Sequence, residues 1–154
     1  MKVKILLTKL FVLLLFINVL GQTRHATKSK FMSYKGLVMA GYQGWFNCEG
    51  DGADRGWTHY SKGGVFEDGS CTIDYWPEMD EYKVKYKTPF KFADGSPAYV
   101  FSSFDESTVD LHFRWMKEYG IDGVFMQRFF SVLTSENRIN HNDKVLASAI
   151  KAAN

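Results

Sequence analysis

The chain is poor in proline and cysteine, with three and two among its 154 residues, and no internal repeat is evident. With 45% of the residues apolar and 23% charged, a disordered tail, a collagen-like repeat and a low-complexity linker are excluded. Two cysteines without a close pair of histidines argue against a zinc site. They do leave open whether Cys48 and Cys71 form a bridge. Charge of one sign is also lacking. Setting aside Lys2, Lys4 and Lys9 takes the 19 basic residues to 16, against 17 acidic ones from residue 22 onward. A body so close to neutral has no general attraction for nucleic acid or an anionic membrane. No Ser-His-Asp constellation, phosphate-cradling glycine loop or dinucleotide fingerprint is present, so no cofactor is expected. Ser102 and Ser103 lack the glycine flanks of a nucleophile elbow.

Long apolar runs are absent but for one, Leu10 to Leu20, preceded by Lys2, Lys4 and Lys9 and followed by Gly21. A basic start, a short apolar segment and a small residue at its end predict a secretory signal peptide over residues 1–21, hence a secreted or periplasmic protein. A bilayer span needs about 20 apolar residues, and Lys9 interrupts the only stretch that could reach that length. No stable membrane insertion is expected after cleavage.

Aromatics are plentiful: 13 Phe, 8 Tyr and 4 Trp, 16% of the chain. Residues 22–36 read as a polar lead-in. Leu37-Val-Met-Ala-Gly41 has the continuous apolarity of a buried strand. A glycine-rich region from about Tyr42 to Lys91 shows no period and reads as a long loop. Ala98–Ser103 reads as a second strand. Ser107-Thr-Val-Asp110 has the pattern of a capping box, and Val109, Phe113 and Met116 then form an apolar helical stripe closed by Gly120. Ile121–Gln127 reads as a third strand. Asn142 or Asp143 is positioned to cap a last helix carrying Val145, Leu146, Ala149 and Ile150. The progression is βαβα, an α/β class with parallel strands. Three such strands need further partners, which predicts that residues 37–154 are a truncated chain or a fragment of a longer barrel.

In parallel α/β folds functional groups collect at the C-terminal strand ends. That rule selects Tyr42–Phe46, Ser102 with Ser103, and Gln127 with Arg128. The amide and guanidinium of the last pair suit a hydroxylated ligand, and a salt-bridged Arg closing a barrel end is the alternative. The loop Cys48–His59 combines carboxylates, glycines, Trp57 and His59, but its spacing is not that of an EF-hand, and a solvated turn with a packed His59 is the bland reading. Trp45, Trp57 and Trp76 all stand in loops, where no core stripe accounts for them. With Asp, His, Gln and Arg nearby, they point to a carbohydrate subsite. Glycoside hydrolysis needs a carboxylate pair. Glu49, Asp51, Glu78, Asp80 and Glu81 are available, and none follows a strand closely enough to be chosen.

Four segments carry a resemblance: Gly41-Tyr-Gln-Gly-Trp-Phe46; Gly50-Asp-Gly with Gly56-Trp-Thr-His59; Asp74-Tyr-Trp-Pro-Glu-Met-Asp-Glu-Tyr82; and the long Val109–Phe129 motif ending Gly-Val-Phe-Met-Gln-Arg-Phe. They resemble the N-terminal part of the glycoside hydrolase family 71/99-like proteins, with endo-α-mannosidase and endo-α-1,3-glucanase relatives. The resemblance spans essentially all of the chain after residue 21, with Tyr60 standing where the family often has Trp. It implies a secreted (β/α)8 barrel acting on α-linked glycans. Such barrels run to about 250 residues, so it also implies an α/β fold in which residues 37–154 are the incomplete N-terminal part of a (β/α)8 TIM-type barrel. The catalytic carboxylates of the mannosidase relatives lie on later strands, and no catalytic residue is carried over. The glycan-contacting set it implies is Gln43, Trp45, Asp51, His59, Gln127 and Arg128. Two functions follow as expectations: a substrate-binding part of a secreted glycoside hydrolase for α-mannan or α-glucan, inactive alone, or a secreted non-catalytic carbohydrate-binding protein.

Overall fold

A computed structural model describes residues 31–154. The signal peptide expected over residues 1–21 and most of the expected polar lead-in lie outside the described residues. Chain contacts divide the protein into Met1–Tyr34 and Lys35–Asn154, and every strand and helix among the described residues belongs to the second unit. Among those residues no helix is long and apolar enough to cross a membrane.

The second unit is mixed, with two separate two-stranded sheets. Strand β1 (Met39–Tyr42) pairs in parallel with β4 (Gly123–Met126), Met39 opposite Gly123 and Tyr42 opposite Met126. The missing side chain at Gly123 makes room for Met39, whose Cε would stand 3.0 Å from a Cβ there. The ladder is tied at both ends. Asp122 N–H donates to the Val38 carbonyl at 2.9 Å while its carboxylate accepts from Val38 N–H, and Gln127 N–H donates to the Tyr42 carbonyl at 2.9 Å.

The second sheet corrects the sequence reading. Residues 97–100 do form a strand, β3 (Pro97–Val100), but it lies antiparallel to β2 (Tyr86–Lys91), which the sequence places inside a loop. Pro89 interrupts the ladder of β2 where the register shifts, and proline demotes a segment read as a strand. The Asp94-Gly95 turn closes the hairpin: Gly95 takes φ +84°, and the Asp94 carboxylate accepts from Ser96 N–H and Oγ at 2.9 and 2.6 Å.

Helix α1 (Glu106–Glu118) starts at Asp105 rather than through a Ser107 capping box. The Asp105 carboxylate is engaged elsewhere, accepting from Tyr86 Oη at 2.9 Å. The C-terminus follows expectation. Gly120 (φ +76°) and Ile121 donate to the Lys117 and Met116 carbonyls, a Schellman cap. Helix α2 (Glu136–Ala152) begins at Ser135, well before the expected Asn142. Its core face there is made by His141 and Asn142, both buried, so apolar periodicity hides the first turns. Val145 and Ala149 pack on Val109 of α1 with Tyr42 and Met126, fixing the helix pair over the parallel strands, while Ile150 faces solvent.

The glycine-rich region has a core of its own, in which Cys48, Trp57, Tyr60, Phe66 and Val100 are buried against Phe46, Cys71, Trp76 and Phe90. Both thiols are free, Cys48 donating to the Phe101 carbonyl and Cys71 to that of Ile73.

Candidate functional site

The chain leaves β1 through Gln43, Gly44 and Trp45, and leaves β4 through Gln127, Arg128 and Phe129. The two exits run side by side because the strands are parallel and in register. Gly44 turns the first exit with φ +59°, and a Cβ there would stand 2.5 Å from Val145 Cγ1. Gly44→Ala therefore meets both left-handed strain and a packed helix, and should cost about 3 kcal/mol in a urea titration. A loss under about 1 kcal/mol would show that α2 yields at this contact.

Trp45 is thereby set beside His59, the rings stacked at 5.1 Å and 25°, and against Phe129 at 5.1 Å. His59 is a non-glycine residue with φ +64°, and strain of this kind gathers at functional sites. Its carbonyl is held by Thr72 Oγ1 at 2.6 Å. Burial, then the charge of Arg55, lower the His59 pKa, so the ring is neutral at pH 7 and offers one donor and one acceptor. Together with Arg55, Thr58, Arg138 and Asn142, these rings bound a cleft of about 340 Å³.

Beneath it runs a buried polar network. The Asp51 carboxylate accepts from Ser102 Oγ (2.6 Å), Asn47 Nδ2 (2.9 Å), Cys48 N–H (3.1 Å) and Ala53 N–H (2.7 Å). Partial burial opposes the ionised form, but these bonds outweigh it and hold the carboxyl below its usual pKa. Asn47 Nδ2 also donates to His141 Nδ1 at 2.9 Å, which leaves Nε2–H of His141 to donate to the Gly44 carbonyl at 2.8 Å. Flipping the Asn47 amide would set its oxygen against the carboxylate, so the orientation is fixed, and Oδ1 stays buried without a partner. Phe104 stacks on His141 at 5.8 Å and carries the Lys144 ammonium 3.6 Å from its ring centroid. Burial lowers the His141 pKa to about 4. The network therefore pins the Gly44 carbonyl, and with it the approach of Trp45.

The sequence-derived set separates into three groups. Trp45 and His59 line the cleft. Asp51 is the hub of the network below. Gln43 Nε2 donates to Gln127 Oε1 at 2.5 Å, a pair that joins the two strand exits, and Arg128 forms an exposed ion pair with Asp143 at 2.6 Å. Of the three loop tryptophans, two are explained by packing. Trp57 is buried with Tyr60 and Phe66, and Trp76 donates its Nε1–H to the Tyr99 carbonyl while stacking on Phe66. Arg55, Phe129 and Arg138 line the cleft without having been singled out, and Asn142, expected as a helix cap, lines it instead. Arg55 lies in the glycine-rich loop just before Gly56, and Phe129 ends the Val109–Phe129 segment, whereas Arg138 and Asn142 lie in the early turns of α2, where no site signal is visible in the sequence.

A second cleft, about 410 Å³, is lined by Trp76, Glu78, Asp80, Lys85 and Phe92 among others. None of its residues follows a strand of the parallel pair. A second polar network is structural: Tyr42 and Tyr82 hydroxyls bond the two ring nitrogens of His112 at 3.0 and 2.7 Å, and burial lowers that ring's pKa to about 4. Among the described residues no group of three or more His, Cys, Asp or Glu could hold a metal ion.

Comparison with protein-family models, curated proteins and solved structures finds no match for the chain. Its function rests on the site and on the sequence motifs.

Proposed function

We propose that the cleft walled by Trp45, His59 and Phe129 binds a sugar ring of an α-linked glycan, and that the chain serves a secreted glycoside hydrolase of the α-mannan or α-glucan type as a substrate-binding part within a (β/α)8 architecture. The observation that carries this reading is the aromatic wall beside neutral and charged donors at the paired ends of β1 and β4. Sugar rings bury their C–H faces on such walls and turn hydroxyls toward such donors. Gln43 and Gln127 are placed to continue the donor row along the same edge.

The second reading is a non-catalytic carbohydrate-binding protein. The described residues lining the cleft include no Asp or Glu, as both readings expect, since the hydrolase reading puts the carboxylate pair on later strands. Both readings require binding. Calorimetry with α-mannotriose and α-1,3-glucotriose should show binding to the full chain. Trp45→Ala should weaken it by about 2 kcal/mol, more than tenfold in Kd, as expected for truncating an aromatic anchor. Unchanged affinity in the variant would reject the assignment of the cleft.

A further inference from the structure

The polar side of the cleft is unbalanced in charge. Arg55 and Arg138 both line it, and they interact unfavourably with one another. Among the described residues neither guanidinium has a carboxylate within ion-pair distance. Arg138 is occupied only in part, donating through Nη1 to Thr134 Oγ1 at 3.2 Å and to the Ser131 carbonyl at 3.4 Å. The charge of Asp51 offsets the repulsion in part at Arg55, but its oxygens are already taken by two side chains and two backbone amides. His59, the third titratable group facing Arg55, is neutral at pH 7 and supplies no negative charge. Two guanidinium groups sharing a partly enclosed space without a counter-charge repel each other, and a bound anion reverses that effect. A guanidinium is the side chain best shaped to take a carboxylate or sulfate through paired N–H donors.

Resting on the glycan reading of the same cleft, we infer that the sugar held at Trp45 carries an oxyanion, the carboxylate of a uronic acid or a sulfate ester, received by Arg55 and Arg138. The aromatic wall takes the ring, and the guanidinium pair takes its charged substituent. A neutral sugar fills the same wall and leaves the two positive charges uncompensated.

Calorimetry on the full chain at low ionic strength compares α-1,4-trigalacturonate, a sulfated galactose trisaccharide and neutral α-1,4-galactotriose. One of the charged ligands should bind at least about tenfold tighter than the neutral one, and which of them does so assigns the carboxylate or the sulfate. Raising the salt concentration should narrow that margin. Arg55→Gln and Arg138→Gln should each reduce it to about threefold or less, with Arg138→Lys retaining more of it than Arg138→Gln. Thermal melts of each variant establish that it is folded. Equal affinity for charged and neutral trisaccharides, or a margin that survives both Gln substitutions, overturns the inference and leaves the glycan reading standing. Failure of these trisaccharides together with α-mannotriose and α-1,3-glucotriose to bind overturns the glycan reading as well, including the case in which inorganic sulfate, titrated beside them, alone binds.

Discussion

Lowering the pH from 7 to 4.5 is expected to reduce folding stability by about 4 kcal/mol, well before the bulk of the carboxylates are protonated. His112 and His141 are responsible. In the unfolded chain each titrates near the ordinary 6.5, and in the fold each is pushed down to about 4 by burial. Between those values the unfolded state binds more protons than the folded one, so stability is complete above pH 6.5 and falls as the pH drops toward 4. His141 cannot accept a proton without cost, because Nδ1 already accepts from Asn47, the ring is fully buried, and Arg55 stands nearby. For His112 a second proton would leave both tyrosine hydroxyls facing a donor, so each would have to act as acceptor. Asp51, with its carboxyl held below the usual range, adds its loss only at still lower pH. Urea midpoints measured at pH 7, 6, 5 and 4.5 read the slope directly. His141→Gln should flatten about half of it. A stability that is constant from pH 7 to 5 would mean that neither imidazole is held neutral by the fold.

Asp51→Ala is expected to cost about 3 kcal/mol at pH 7. Charge-assisted hydrogen bonds contribute about 1.5–3 kcal/mol each, and the deletion orphans more than one donor. Ser102 Oγ and Asn47 Nδ2 lose their short bonds, and the amides of Cys48 and Ala53 lose the acceptor that shapes the loop between them. Water can reach part of the space, since Asp51 is only partly buried, and this keeps the figure below the sum of the four bonds. Asp51→Asn retains an acceptor and should lose less. The same substitution loosens Asn47 from His141 and so frees the Gly44 carbonyl, which carries the disturbance into the cleft. Equilibrium urea unfolding measures the loss, and a change under about 1 kcal/mol would show that Asp51 is a surface carboxylate with incidental contacts.

Regular elements were readable where one physical signal dominated. β1, β4 and α1 have unbroken apolar runs or a clear helical stripe, and Gly120 marks a helix end that only a left-handed residue closes. Where signals competed, the reading failed. Pro89 concealed β2, and with it the antiparallel partner of Pro97–Val100, so a hairpin was taken for one step of a parallel progression. Polar residues on the buried face of α2 concealed its start, because a histidine held by an amide and a carbonyl satisfies burial as well as a leucine does. The site divides along the same line. Trp45 and His59 were legible as residues without a core role, yet the same test also chose Trp57 and Trp76, which pack in an aromatic cluster on Val100 of β3 and Phe90 of β2. Asp51 was visible as a carboxylate among glycines, but not its four donors, which come from residues as distant in sequence as Ser102.

The four tryptophan indoles offer the most direct measurement of where a glycan binds. In nitrogen-15 NMR spectra the Nε1–H signals, assigned by substitution, can be followed while α-linked manno-, gluco- and galacturono-oligosaccharides are added. Trp45 should shift, while Trp57 in the core, Trp76 bonded to the Tyr99 carbonyl and Trp115 bonded to Glu81 stay fixed. A shift of Trp76 with Trp45 unmoved would place the ligand in the cleft beside Glu78 and Asp80, and no shift of any indole would contradict a glycan site on this chain.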